Sequence, residues 1–184
     1  MAIDPIKTEK RIKETIDILH DLDVPRKQQN KRSALTLLAL LDMKEDTPWS
    51  DASSPLLGIT EMMDYFNDHF GVRYAPNTRE TVRRQTVHQF VQAGLISANP
   101  DNPSRPVNSQ DTRYQIESSA LNLIRSYGST SWGSNLRNYF KSVASSKKLH
   151  AKEREMALIP VKLPNGDELK LTAGGQNVLI KPII

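Results

Sequence analysis

Cysteine is absent from this chain of 184 residues. That removes disulfide frameworks, thiolate metal sites and cysteine nucleophiles, and it fits a reducing cytoplasm. No apolar run approaches the length needed to span a bilayer, and the opening MAIDPIKTEKRIKE lacks the apolar stretch of a secretory signal, so no membrane partner is expected. The four histidines, His20, His69, His88 and His150, lie far apart without an i, i+4 pair, leaving a histidine metal site or a catalytic triad without support. Gly174-Gly175 lacks the spaced glycines and the Lys-Ser/Thr ending of a phosphate loop. What remains, 38% hydrophobic and 25% charged residues, has the profile of a soluble protein with one generous domain, or one domain and part of another. A cytoplasmic location is the expectation.

The net charge of +4 is too small to name a partner, but its distribution is uneven. Basic and acidic residues number 9 and 10 in residues 1–58, 6 and 6 in 59–116, and 10 and 5 in 117–184, so the positive excess lies in the last third.

The most informative stretch is YAPNTRETVRRQTVHQFVQAGLI, residues 74–96. Pro76 disfavours helix at Ala75, Asn77 offers a capping oxygen, and Glu80 three residues on completes the pattern of a capping box, which predicts a helix from Asn77 or Thr78 to Gly94. At about 100° per residue, Val82, Thr86, Val87, Phe90 and Val91 fall on one side, and Thr78, Thr81, Arg84, Gln85, His88 and Gln89 on the other. Arg83 lies beside the apolar arc, where it would snorkel or pair with an acid. Upstream, GITEMMDYFNDHFGV (58–72) predicts a second amphipathic helix, with Thr60 as its cap, Ile59, Met62, Met63, Phe66 and Phe70 as its apolar set and Gly71 as its end. Two helices joined by a turn, the second one basic, suggest a helix-turn-helix. Leu95-Ile96 then open a short strand, residues 99–112 form a turn-rich loop, and RYQIE (113–117) returns, as in a winged helix with Arg105 as the wing's candidate contact. In such modules the second helix enters the major groove, where Arg and Gln read base edges. The same pattern also serves as a plain scaffold or as a protein-docking unit.

Elsewhere, residues 6–22 predict a first helix ended by Asp23-Val24-Pro25, and 28–43, with its LTLLALL run, a buried central helix. Residues 44–55 read as a connecting loop, 118–127 as a short helix ended by Gly128, and 129–133 as a linker. If residues 134–156 form one helix, Arg137, Lys141, Lys148 and Lys152 fall within about 60° of one another, opposite Leu136, Tyr139, Phe140 and Val143. Such a basic stripe suits a phosphate backbone and equally suits a solvated face, and Ser145-Ser146 could interrupt it. ALIPVKLPNGDELKL (157–171) is a hairpin signal around Asn165-Gly166. The apolar QNVLIKPII that follows reads as the start of a truncated second domain. Glu168-Leu169-Lys170 matches the Glu-x-Lys half of a magnesium nuclease site, but no upstream Asp accompanies it, and Asp167 would point to the opposite strand face.

Taken together, residues 74–96, the loop leading to RYQIE, LPNGDELKLTAGGQNVLIKPII and the helical run before them resemble the N-terminal part of the BsuBI/PstI family of type II restriction endonucleases. The resemblance spans nearly the whole chain and is most specific in NTRETVRRQTVHQFVQAGLI and GGQNVLIKPII. It implies a winged-helix region followed by a separate magnesium-dependent nuclease domain that cuts double-stranded DNA at a palindromic hexanucleotide, with GGQNVLIKPII opening that domain and the catalytic residues beyond Ile184. No catalytic or metal-binding residue is assigned within this chain.

The resulting expectation is a mainly α fold with a small β component: a winged helix-turn-helix domain in residues 1–128, a basic helical linker in 129–156, and in 157–184 a β-hairpin and the start of a truncated nuclease domain. Thr81, Arg84, Gln85 and His88 would face bases. Thr78 and Arg79, at the positive helix end, would hold phosphate, and Arg105, Arg137, Lys141, Lys148 and Lys152 would extend the grip. A palindromic site calls for two copies of the chain related by a twofold axis. A stand-alone winged-helix transcription regulator is the alternative.

Overall fold

The computed structural model describes the backbone of residues 3–106, 109–156, 159–162 and 168–171, and the side chains up to residue 145. Helix α1 spans Pro5–Asp21. Asp4 caps it by accepting from the amides of Ile6 and Lys7, and Pro5 occupies a first-turn position where its missing N–H costs nothing. It ends where Asp23 takes a positive φ of 55°.

Helix α2, Lys31–Leu40, is capped by Asn30, whose side-chain oxygen accepts from the Ser33 amide at 3.1 Å. Every residue from Ser33 to Leu41 is buried, because α1 packs on one flank and the helical segments near residues 59–70 and 82–87 on others. A helix apolar all round needs such a central position.

The predicted loop at 44–55 is tied down. It contains a 3₁₀ turn, Trp49–Asp51, with Trp49 buried. The Arg11 guanidinium lies 4.8 Å from the Trp49 ring centroid and donates to the carbonyls of Glu45 and Thr47. Burial pulls its pKa down, while Glu14 opposes that shift.

Helix α3, Ile59–Phe70, buries Ile59, Met62, Phe66 and Phe70 and ends at Gly71 with φ 64°. Its cap is Gly58 rather than Thr60, because Glu61 reaches back to accept from the Gly58 amide at 2.5 Å and fixes the start two residues earlier. After a turn, residues 78–93 run helically in three consecutive pieces: α4 (Thr78–Thr81), a π-helical segment (Val82–Val87) and α5 (His88–Ala93). Gly94, at φ 74°, ends the run.

Strand β1 (Ile96–Ala98) pairs antiparallel with β2 (Tyr114–Ile116), in the register Ile96↔Ile116, Ser97↔Gln115, Ala98↔Tyr114. Leu57, just before α3, adds a bridge to Tyr114 through two backbone hydrogen bonds of 3.0 and 2.8 Å. The small sheet is thereby fastened to the start of α3.

Helix α6, Ser118–Ile124, buries Ala120, Leu121, Leu123 and Ile124. Helix α7 covers Trp132–Met156. The expected linker at 129–133 thus already contains the first residues of α7, held by a hydrogen bond from the Trp132 indole to Asp21 at 2.9 Å and by an edge-on contact between the Tyr127 and Trp132 rings. Ser145-Ser146 does not break the helix, since the Ser145 hydroxyl donates to the Lys141 carbonyl one turn back and stays within the helical pattern.

The chain divides into two compact units, Met1–Tyr139 and Phe140–Ile184, so the division falls inside α7. In the second, β3 (Ile159–Lys162) pairs antiparallel with β4 (Glu168–Leu171), with Val161 opposite Leu169 and Lys162 opposite Glu168. The predicted Asn165-Gly166 turn and the GGQNVLIKPII segment lie outside the described residues. No helix among the described residues is long and apolar enough to cross a membrane.

Candidate nucleic-acid interface

The helical run at 78–93 divides as its spacing predicts. Val82, Thr86, Val87 and Phe90 are fully buried and Val91 is half-buried, whereas Arg84, Gln85 and His88 are exposed. Thr78, Arg79, Thr81 and Gln89 are partly exposed. The separation survives the wider π-helical turn at 82–87, a local feature that often accompanies functional surfaces.

The helix start differs from the expected capping box. Asn77 takes helical backbone angles and its side chain makes no capping bond. The first amides are met by the preceding turn instead: Thr78 donates to Ala75 and Arg79 to Pro76. Glu80 is therefore not drawn back to the cap and turns to its own helix. Its carboxylate accepts two hydrogen bonds from Arg83, at 2.9 and 2.6 Å, and one from Arg84. The Arg83 bonds first, then the Arg84 bond, hold the Glu80 pKa down to about 2. Arg83 thus pairs with an acid, while Arg84 keeps 72% of its side chain exposed.

A cation that pattern reading missed comes from α2. Arg32 donates through Nε to the hydroxyl of buried Thr86 and through Nη2 to the Gln85 side-chain oxygen, both at 3.1 Å. No local signal in the sequence joins positions 32 and 85. Only the packing of α2 against residues 82–87 brings them together.

A cleft separates the start of this helical run from the loop before β2, lined by Pro76, Arg79, Glu80, Arg83, Gln110 and Tyr114. Arg79 crosses it to donate to the Gln110 carbonyl at 3.4 Å. Arg105 stands differently from its expected role. Its guanidinium is clipped to Asp101 by bonds of 3.1 and 2.7 Å and to Asn99 at 2.7 Å, and only 16% of its side chain is exposed. Asn99, buried at φ 53°, also accepts from the Arg113 amide, so these residues close the base of the loop.

Arg137 and Lys141 are exposed on α7. The side chains of Lys148 and Lys152 lie outside the described residues, as do those of Glu168 and Lys170. Among the described residues no group of three or more His, Asp or Glu is arranged to hold a metal ion.

A family model described as the BsuBI/PstI restriction endonuclease HTH domain matches residues 9–148. The chain is 47% identical over 173 residues to the type II restriction enzyme BsuBI of Bacillus subtilis, covering 94% of this chain and 55% of that enzyme. To the type II restriction enzyme AplI of Arthrospira platensis it is 34% identical over 176 residues, covering 96% and 54%. Among solved structures, that of the SdaI restriction endonuclease superposes with a TM-score of 0.70 at 34% identity, covering 94% of this chain and 54% of that one. The chain therefore spans about half the length of these relatives.

Proposed function

The chain belongs to the BsuBI/PstI restriction endonuclease family through the family's HTH domain, and from that premise we propose that residues 58–116 form a winged helix-turn-helix that docks double-stranded DNA for target recognition. The carrying observation is the two-sided helical run at 78–93. Its buried side closes the core, while Arg84, Gln85 and His88 are exposed and Arg79, Glu80 and Arg83 line the cleft against the β1–β2 loop. The Leu57 bridge to β2 supports the winged arrangement, because it places a strand residue directly before the first helix of the motif.

In this reading α4 and the helix beyond it enter the major groove. Arg84, with a planar fork of donors, suits guanine O6 and N7, and Gln85 suits a base edge. Thr81 and His88 flank them. Thr78 and Arg79 contact phosphate at the helix start, and Lys141 and Arg137 extend the positive surface of their own element, with Lys148 and Lys152 continuing the same stripe in sequence. Arg105 shapes the loop, since any phosphate it meets must compete with Asp101. The whole protein is read as a type II endonuclease cutting duplex DNA at a short palindrome as a pair of twofold-related copies. Magnesium would serve to activate water at its nuclease centre. The described residues of this chain offer no donor set for that ion, and no catalytic step is derived from them.

Binding to a duplex library, followed by anisotropy on the selected site, tests the reading. Arg84→Ala and Gln85→Ala should each weaken specific binding by about 1 to 3 kcal/mol per lost base contact. Unchanged binding in both, or no retention of DNA at low salt, would remove it.

A further inference from the structure

Gln85 is exposed on the proposed docking side, yet its amide is not left to rotate. The Arg32 guanidinium can only donate, so the amide atom 3.1 Å from its Nη2 must be the oxygen, and the NH₂ group is turned away from Arg32. Arg32 is itself anchored, because its Nε donates at 3.1 Å to the hydroxyl of Thr86, which is fully buried. The anchor on α2 is 53 residues away in sequence and independent of the local helix. Reversing the Gln85 amide would set its NH₂ against a cation and leave the Arg32 donor without its acceptor.

We propose that Arg32 is a positioning residue for base reading, fixing the Gln85 amide so that it offers N–H donors to the duplex and selects a hydrogen-bond acceptor: a purine N7, guanine O6 or thymine O4. The proposal rests on the reading of residues 78–93 as the groove-facing run. The two-bond pairing of glutamine with adenine needs the amide oxygen to accept from the adenine amino group. Here that oxygen is already engaged by a guanidinium, whose positive charge repels an incoming donor and favours an acceptor in its place.

The experiment is selection from a randomised duplex pool with the full chain, followed by binding of single-base variants of the selected duplex across a salt series. The proteins compared are the unaltered chain, Gln85→Ala, Arg32→Ala, Arg32→Lys and the Arg32→Ala/Gln85→Ala double variant. The unaltered chain should prefer an acceptor-bearing base at the position that Gln85→Ala relaxes. Arg32→Ala should relax that same position by about tenfold or more and leave preferences elsewhere in place, and the double variant should discriminate there no less than Gln85→Ala alone. Arg32→Lys keeps the charge but cannot hold Thr86 and Gln85 with one planar fork, so it should lose the same preference at an unchanged salt slope. It also guards against a folding defect in the alanine variant.

A uniform loss across all duplexes with a salt slope shallower by about one would make Arg32 a phosphate contact and overturn the proposal. An unchanged preference in Arg32→Ala would overturn it as well, and in both cases the docking reading would stand as long as Gln85→Ala relaxes a position. Failure of the unaltered chain to enrich any duplex would defeat the docking reading and this proposal together.

Discussion

Glu80 sets the charge of the outward-facing residues, since its one carboxylate holds both Arg83 and Arg84. A duplex phosphate approaching Arg84 must share it with that acid, which tempers sequence-independent attraction. Glu80→Gln should therefore tighten binding to unrelated duplexes and steepen the dependence of affinity on salt by about one, narrowing the gap between specific and non-specific sites. Anisotropy with a selected and a scrambled duplex checks this, and weaker binding to both would count against it. Because the Glu80 pKa is lowered to about 2, its ion pairs persist as pH falls through the ordinary carboxylate range and are lost only towards pH 2. The effect of Glu80→Gln should then stay constant between about pH 5 and 8, and a variant effect that fades on mild acidification would contradict the clamp. Glu61 follows the same sign. Its pKa is lowered first by the Gly58 amide and then by Arg113, so Glu61→Gln should cost about 1 kcal/mol or less at neutral pH, with the difference vanishing in acid melts. The outward positions of Arg84, Gln85 and His88 were legible from a 100° step, since a helix turns by the same angle in any context. Glu80's choice of partner was not, because it depended on whether the turn at 75–78 satisfied the first amides.

At the scale of elements, the helical run at 78–93 is held by what it buries. Phe90 is fully buried, and Phe90→Ala should lower unfolding free energy by about 3 to 5 kcal/mol in urea titrations. Gly94 ends the run at φ 74° with open space where a Cβ would sit. Gly94→Ala should thus cost only the backbone penalty, about 1 to 2 kcal/mol, and a loss as large as that of Phe90→Ala would mean that Gly94 does more than turn the chain. The strands, the glycine stops and the central helix were readable because each is written locally: alternation, a residue tolerant of positive φ, and a run apolar on every side. The π-helical turn at 82–87 carries no such local mark, and the Gly58 cap is written locally in Glu61 three residues on, with Thr60 as a competing capping residue two positions after Gly58.

Across the molecule, the excess of basic residues lies in 117–184, and Arg137 and Lys141 are exposed. If the α7 stripe follows a phosphate backbone, replacing Lys141 and Lys148 together by alanine should make the salt slope shallower by about two while leaving base preference intact. A shift in base preference, or an unaltered slope, would assign those lysines to something other than backbone phosphate. The boundary between the two compact units lies within α7, whose first residue, Trp132, is held against Asp21 and Tyr127. A contact 111 residues apart in sequence leaves no local trace.

By itself the sequence determined which side of the helical runs at 59–70 and 78–93 is buried, where glycine ends them, and that residues 74–96 and GGQNVLIKPII resemble one endonuclease family. These follow from the chain's periodicity and from residue types fixed in order. The tertiary structure alone decided that Arg32 stands behind Gln85, that Arg105 closes the loop instead of reaching out of it, and that Glu80 gathers two arginines rather than a cap. Each of those outcomes depends on which donor and acceptor come within about 3 Å after packing. Arg32 and Gln85 lie 53 residues apart and no spacing joins them, whereas Glu80 and Arg105 have partners three or four residues away and packing decided only which partner each took.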